Sequence, residues 1–193
     1  MKPTTVRIVE AGFAIITSRA NIQQVVSDFY TQYTTLLDTF QTAGKFPMNG
    51  PVEIRVTGLD NPGDVGITGA RVVQLSATRP RPDHPEWDCA VWLDIHTLPR
   101  TRWAEEFYRE VEQWCLTNYT GDYAGWRVEW SKGWGYTDDA AWTDPVVIGA
   151  TIPASLTDGQ PDGQQFADAR TTLNALDPHR IYSTPLLDML LGP

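Results

Sequence analysis

The stretch Asp88-Cys-Ala-Val-Trp-Leu-Asp-Ile-His96 decides the fold, because apolar and polar side chains alternate along it. One face of the predicted strand carries Cys89, Val91, Leu93 and Ile95, and the other carries Asp88, Trp92, Asp94 and His96. A strand with this pattern has a core on one side and a polar surface on the other. The stretch therefore predicts one strand of an antiparallel sheet whose polar face is available for function.

Three further segments show a related strand pattern. The segment Pro51-Val-Glu-Ile-Arg-Val-Thr-Gly58 alternates in the same way, with Glu53 and Arg55 on its polar face. Residues 5–17 are rich in Val and Ile and are interrupted by Gly12, which predicts one bent strand or two short ones. Residues 126–130 alternate once more. The sequence therefore predicts about four strands.

Two amphipathic helices lie between these strands. Apolar residues recur at steps of three and four from Asn21 to Phe40, where Asn21 with Gln24 resembles a capping box and Gly44 ends the helix. A second helix is predicted from about Thr101 to Tyr119. Its apolar stripe contains Trp103, Phe107, Val111, Trp114, Cys115 and Asn118, and Glu105, Glu106, Arg109 and Glu112 lie mostly outside the stripe.

The order of elements predicts an α+β fold, a ferredoxin-like βαββαβ antiparallel sheet with both helices on one face. The opposite face is expected to stay open and to gather Glu53, Arg55, Trp92, Asp94 and His96. Residues 59–86 form a long loop that is rich in Gly and Pro, with a possible short strand near Val72 to Leu75.

The charge balance changes near Gly133. Residues 1–133 hold 16 acids and 13 bases, whereas 134–193 hold 8 acids and 2 bases. We therefore predict an α+β domain over 1–133 and a mostly helical C-terminal extension over 134–193. Within the extension we expect a short helix or turn near Asp139 to Trp142, a helix from about Gln164 to Leu176, and a final Leu-rich helix.

The overall composition excludes several classes of function. A net charge of −9 over 193 residues disfavours a nucleic-acid partner. No apolar run is long enough to span a membrane, and the N-terminus shows no signal-peptide pattern, which leaves the compartment open. The two cysteines lack the spacing of a zinc site, and we expect buried thiols, with one disulfide as the alternative. No metal site is predicted.

The polar residues of the open face each permit two interpretations. Glu53 and Arg55 form either a solvated ion pair or, if another domain or a cofactor covers them, a site for a carbonyl or hydroxyl oxygen. His96 is either a structural histidine or a general base. Trp92 and Trp134 belong either to an aromatic core or to a wall against a flat apolar ligand.

Four segments carry a resemblance to a known family. Residues 46–60, 79–87, 129–134 and 176–180 together resemble the C-terminal, substrate-binding part of type II cholesterol oxidase, a covalent-flavin enzyme of the vanillyl-alcohol oxidase family. The resemblance extends over nearly the whole chain. It implies a flavin oxidase that takes a hydride from the 3-hydroxyl of a sterol, reduces oxygen to hydrogen peroxide and isomerises the ketone.

The resemblance also implies roles for individual residues. Arg55 would lie near the substrate oxygen and the flavin, with Glu53 holding it or gating access of oxygen. Lys132, in Glu129-Trp-Ser-Lys132, matches a lysine that approaches the flavin ring in related oxidases, and Glu129 replaces their histidine. His96 matches a strand histidine only loosely. The resulting assignments are Glu53, Arg55 and His96 as catalytic, Lys132 as cofactor-binding, and Glu10, Trp92, Asp94, Glu129 and Trp134 as substrate-binding.

The family has a separate domain that supplies the pyrophosphate-binding loop and the histidine bonded to FAD, and neither motif is present in this sequence. We therefore expect the chain to be inactive alone and to need an FAD-binding domain in the same or another chain. Two other hypotheses stay open at this stage. The chain is a stand-alone module that binds a steroid or another flat apolar molecule, or an inert fragment that associates with itself as a homo-oligomer.

Overall fold

The structure, a computed structural model, describes residues 7–136 and 141–192. Its strands are β1 (Val9–Thr17), β2 (Val52–Gly58), β3 (Cys89–Thr97) and β4 (Ala124–Val128). Its α-helices are α1 (Ile22–Thr42), α2 (Ala104–Asn118), α3 (Ile152–Ser155), α4 (Phe166–Leu176) and α5 (Pro185–Leu191). A π-helical segment, Val147–Thr151, precedes α3.

The four strands form one antiparallel sheet in the order β2-β3-β1-β4. This is the predicted ferredoxin-like arrangement. After α1, strand β2 pairs with β3 and not with β1; after α2, strand β4 pairs with β1 and not with β3. β1 is a single strand that pairs with β3 from Val9 opposite Thr97 to Thr17 opposite Cys89. Gly12 therefore does not divide it into two.

The core lies between the apolar face of the sheet and helices α1 and α2. Phe13 and Leu93 from the sheet are fully buried, and the Phe107 ring of α2 forms T-shaped contacts with Tyr33 and Phe40 at centroid distances of 5.3 Å. Burial of each such side chain stabilises the fold by about 1.5–3 kcal/mol. The same apolar cluster continues into the C-terminal part of the chain, where it includes Ile148, Ile152, Leu156, Phe166 and Leu190.

Several local predictions were wrong. The Asn21 side chain does not cap α1, because its Nδ2 donates to the carbonyl of Tyr123 at 3.3 Å instead. Residues 59–88, all of which the structure describes, contain turns and one short 3-10 helix, Pro62–Asp64, and no strand near residues 72–75. Glu112 of α2, expected outside the apolar stripe, is fully buried.

Other local predictions were confirmed. Gly44 follows the end of α1 with φ of +72°, the left-handed conformation that glycine adopts without strain. The predicted helices near 164–176 and at the C-terminus correspond to α4 and α5. Cys89 and Cys115 are buried free thiols, and burial raises the pKa of Cys89 to about 11. The short helix or turn expected near Asp139 to Trp142 lies partly outside the described residues, and its described part, Ala141 and Trp142, is a turn. No helix that the structure describes is long and apolar enough to cross a membrane.

Candidate functional site

The face of the sheet opposite α1 and α2, called here the site face, brings together the polar residues predicted from the sequence. Cross-strand pairing sets Glu10 opposite His96, Glu53 opposite Asp94, and Arg55 opposite Trp92. Alternate residues of a strand point to the same side, so these side chains emerge together. The site face is not free along its whole length, because Trp87 and Leu59 of loop 59–88 pack on Ile16 near β4. The expectation of a fully open face was wrong in this part.

Arg55 links two carboxylates at the β2 edge of the site face. Its guanidinium is hydrogen-bonded to the carboxylate of Asp94, and its Nε lies 3.3 Å from Oε1 of Glu53. The Asp94 side chain is completely buried, whereas Arg55 and Glu53 are about half exposed, at 49% and 50%. Burial raises the pKa of Asp94, with Arg55 opposing the rise, and the hydrogen bond to Asp94 raises the pKa of Arg55.

Lys132 reaches the centre of the site face by a return of the chain after β4. Gly133 forms a parallel bridge with Ala11, in which its N–H donates to the Glu10 carbonyl at 3.0 Å. The Lys132 ammonium then donates to Oε2 of Glu10 at 2.7 Å. This hydrogen bond raises the pKa of Lys132, so the cation is held in place at neutral pH.

Glycine at position 12 makes room for this arrangement. A Cβ at Gly12 would lie 2.4 Å from Oδ1 of Asp94 and 2.6 Å from Cγ of Lys132. No real side chain tolerates contacts of that length. A glycine inside a Val- and Ile-rich strand is the sequence signal for such a close approach. Gly12 is therefore a residue of the site whose role the sequence analysis missed.

His96 lies opposite Glu10 on the neighbouring strand β3. Its Nδ1 is 3.8 Å from Oε1 of Glu10, and its Nε2 is buried without a hydrogen-bond partner among the described residues. Oδ1 of Asp94 is also buried and unpartnered within that part of the chain. A role for His96 as general base through Nε2 therefore requires that atom to be uncovered, and the assignment stays a prediction.

The remaining predicted residues occupy different environments. Trp92 is partly buried on the site face, and its Nε1 donates to Oγ1 of Thr57 at 2.9 Å. Glu129 accepts from the backbone N–H of Ser131 at 3.0 Å, which shapes the turn before Lys132. Trp134 is only 3% exposed and packs into the core cluster, so its ring does not form a surface wall here.

A cleft of about 540 Å³ opens beside Lys132. It is lined by Ile8, Val9, Glu10, Ser131, Lys132, Gly133, Tyr136, Ala141 and Trp142. Its walls combine exposed apolar groups, with Ile8 at 50% and Trp142 at 47%, and one carboxylate–ammonium pair. This combination suits an apolar ligand that carries a single hydroxyl or carbonyl oxygen.

Glu112 fixes the loop that follows Lys132. Its two carboxylate oxygens accept the backbone N–H groups of Gly135 and Tyr136 at 2.7 and 3.0 Å. Burial raises the pKa of Glu112 to about 7, although the two hydrogen bonds favour the charged form. No sequence signal distinguishes Glu112 from its exposed neighbours on α2, because its partners lie more than 20 residues away.

The described residues contain no group of three or more His, Cys, Asp or Glu side chains that could hold a metal ion. The site face presents four carboxylates, from Glu10, Glu53, Asp94 and Glu129. It also presents two cations, Arg55 and Lys132, and the imidazole of His96.

Comparisons with known proteins agree with this geometry. The family described as "Cholesterol oxidase, substrate-binding" matches residues 1–192. A structure titled solvent-stable cholesterol oxidase is 52% identical with a TM-score of 0.95, covering 99% of this chain and 35% of its own. A structure of cholesterol oxidase from Brevibacterium sterolicum is 43% identical with a TM-score of 0.93. The match again covers 99% of this chain and 35% of the other.

No sequence among curated proteins matches the chain. The chain spans about a third of the length of the cholesterol oxidases that it matches in structure. The family match covers nearly all of its residues, and its fold agrees with theirs over almost its whole length. The chain therefore belongs to the cholesterol oxidase substrate-binding family.

Proposed function

We propose that this chain supplies the sterol-binding face of an FAD-dependent oxidase that oxidises the 3-hydroxyl of a sterol with oxygen and releases hydrogen peroxide. The observation that carries the proposal is the polar cluster on the site face. Lys132, held by Glu10, lines a cleft that also has apolar walls, and Arg55 is held by Asp94 and Glu53 on the same face. An apolar cleft with one charged group at its edge orients a molecule that has one polar end.

Within this proposal each residue of the cluster has a distinct task. Arg55 binds the sterol oxygen through a guanidinium nitrogen, and Asp94 and Glu53 hold that guanidinium in one orientation. Lys132, whose ammonium is fixed by Glu10, would bind the cofactor as a hydrogen-bond donor. Arg55 stabilises the negative charge that develops on the sterol oxygen as its proton passes to a general base, the role predicted for His96.

The residues of the site face fit one part of FAD. Bound flavin supplies the hydride acceptor and the reaction with oxygen, which no side chain of this chain provides. Arg55 and Lys132 suit the oxygen atoms of the isoalloxazine ring, since both are donors held on one face of a rigid sheet. The sequence has no glycine-rich phosphate-binding motif, so a flavin domain in the same or another polypeptide would hold the pyrophosphate.

The C-terminal extension is the proposed contact with that flavin domain. A groove of about 360 Å³ between α4 and α5 has mostly apolar walls. Leu176, Ile181 and Tyr182 on or near it are 77%, 74% and 79% exposed. Large exposed apolar groups in one area indicate an interaction surface. We assign residues 1–133 to substrate binding and 134–193 to this contact, although Tyr136, Ala141 and Trp142 of the second segment also line the cleft.

Tryptophan fluorescence tests sterol binding directly. The 193-residue chain is titrated with cholesterol and with an aliphatic alcohol of similar hydrophobicity. Saturable quenching by cholesterol alone is expected. It should be reduced in W142F, whose tryptophan lines the cleft, but kept in W114F, whose tryptophan lies on α2 away from the site face. Equal quenching by both compounds would contradict sterol selectivity.

A chimera tests the oxidase role. Residues 1–192 replace the matching third of the Brevibacterium sterolicum enzyme, and cholesterol-dependent peroxide formation is measured. We expect activity in the chimera and a loss of at least ~10²-fold in kcat/KM for R55M, because removing a charged donor at the reacting oxygen typically costs that much. R102M, altered at an arginine over the Trp103 ring, is the control and should retain activity. A flavin-loaded chimera with no peroxide formation, in a chain that binds sterol, would favour a binding module without catalysis.

A further inference from the structure

Two arginines are buried at the β4 end of the sheet, beneath loop 59–88. Arg127 is on β4 and is 1% exposed, and Arg79 belongs to the loop and is 0% exposed. They lie next to each other, since Nη1 of Arg127 donates to the Arg79 carbonyl at 3.4 Å. Neither residue belongs to the polar cluster of the site face, in which Lys132 pairs with Glu10 and Arg55 with Asp94.

Their hydrogen-bonding capacity is only partly used. Nη1 of Arg79 donates to the carbonyls of Gln74 and Leu156 at 3.2 and 3.3 Å. Nε and Nη2 of Arg79 and Nη2 of Arg127 are buried and have no hydrogen-bond partner in residues 7–136 and 141–192. Three charged N–H groups are thus enclosed within the chain itself, where neither bulk solvent nor a docked domain reaches them.

The charges around this pair do not balance. Neither guanidinium forms an ion pair with a carboxylate among the described residues. Asp83 is bound to Arg81 instead, with Nη2 to Oδ2 at 2.5 Å. The charged groups that act most strongly on Arg127 are Arg81 and Arg79 on one side and Asp158 and Asp83 on the other. Together with Arg127 these are three arginines and two aspartates, so this group carries one excess positive charge.

Physical chemistry requires that such a charge be compensated. Burial lowers the pKa of Arg127 to about 9, and neighbouring Arg81 and Arg79 lower it further in the same direction. The guanidinium nevertheless stays charged at neutral pH. A buried charge without a partner is strongly destabilising, whereas an acceptor for the free N–H groups removes much of that cost.

We propose that a monovalent inorganic anion of halide size binds between Arg79 and Arg127. One negative charge neutralises the local excess, and a spherical anion accepts N–H groups that arrive from two different guanidiniums. The site is structural. Arg79 contacts Leu156, and Nε2 of Gln160 donates to the Pro80 carbonyl at 2.9 Å, so the anion stabilises the junction between loop 59–88 and the C-terminal extension.

Bromide crystallography is the decisive experiment. Crystals of the full chain are soaked in sodium bromide, and anomalous differences are measured at the bromine absorption edge. We expect a peak within about 3.5 Å of Nη2 of both Arg79 and Arg127, the range of a charge-assisted contact to a large anion. Density that refines as an ordered water, with no anomalous signal, would overturn the proposal.

Thermal unfolding provides an independent measurement. In sodium bromide or chloride, compared with sodium gluconate at equal ionic strength, the melting temperature should rise by roughly 3–6 °C when halide is about tenfold above its Kd. The rise should saturate, should disappear in R127M and should persist in R71M, in which an exposed arginine is replaced. The same temperature in both salts would also contradict an anion site. If R127M does not fold, R127K keeps the charge with fewer donors and should weaken the response at least threefold, and the bromide peak needs no variant.

Discussion

The ammonium of Lys132 lies 2.7 Å from Oε2 of Glu10, although 122 positions separate the two residues in the sequence. Both side chains are mostly covered, at 18% and 27% exposed, and both line the cleft beside the site face. The pairing depends on the parallel bridge between Ala11 and Gly133, which brings the return segment after β4 alongside β1. The central cation of the site is thus positioned by backbone hydrogen bonds as well as by its carboxylate partner.

Replacement of Lys132 should reduce catalysis without a comparable loss of stability. In the chimeric enzyme we expect K132M to lower kcat/KM for cholesterol by about 10²–10³-fold, because a preorganised charged donor is removed from the reacting centre. K45M is the matched control, since Lys45 also forms a 2.7 Å ion pair, with Glu106, but at the helix side of the fold. Unchanged peroxide formation in K132M would show that the lysine does not act in the reaction.

Alanine at position 12 should destabilise the chain and disturb the site. The new Cβ overlaps Asp94 and Lys132, so we expect a loss of about 1–3 kcal/mol in the free energy of unfolding, measured by urea denaturation. G58A is the control, because a Cβ at that strand glycine meets no atom within 4 Å. Equal midpoints for the two variants would show that Asp94 and Lys132 do not constrain position 12.

The stability of the chain should depend on the protonation of Glu112. Its pKa is raised from 4.5 in the unfolded chain to about 7 in the folded one, so the folded state binds the proton more tightly. The stabilising effect is complete below pH 4.5 and is lost as the pH rises through 7. The expected loss is roughly 3 kcal/mol, from 1.36 kcal/mol for each pKa unit.

Urea denaturation between pH 5 and 8 measures this dependence. E112Q should remove it, while lowering the overall stability, because an amide offers one acceptor oxygen to two N–H donors. E110Q, which changes an exposed glutamate of the same helix, should keep the pH dependence of the unaltered chain. A pH profile of E112Q that matches that of E110Q would assign the effect to another group.

Arg55 should be coupled more strongly to Asp94 than to Glu53. A double-mutant cycle with R55M and D94N should give a coupling energy of about 1.5–3 kcal/mol, as for hydrogen bonds to charged groups, because Asp94 is buried. The corresponding cycle with E53Q should give less than about 1 kcal/mol, since both partners are half exposed. Equal coupling energies would mean that burial does not distinguish the two carboxylates.

Local patterns in the sequence predicted the fold and most of the site face. Side chains alternate between the two faces of a strand with a period of two residues. This period alone predicted that Arg55, Trp92 and Asp94 lie on the same side of the sheet. The helical stripes followed in the same way, and the order of elements then favoured the ferredoxin-like topology. The resemblance to known oxidases added Lys132, which lies outside the predicted strands, and Glu10, which lies in the strand predicted over residues 5–17.

Only the tertiary structure decided which residues depend on distant partners. The buried carboxylate of Glu112 accepts hydrogen bonds from the backbone N–H groups of Gly135 and Tyr136. The Asn21 side chain donates to the Tyr123 carbonyl and does not cap α1. Trp134 enters the core, and Arg79 with Arg127 is enclosed by a loop that no periodicity describes. Hydrogen bonds and charge compensation act between segments that come into contact only in the folded chain, so the sequence does not predict them. Hydrophobic periodicity is a property of each segment alone and can be recognised in the sequence.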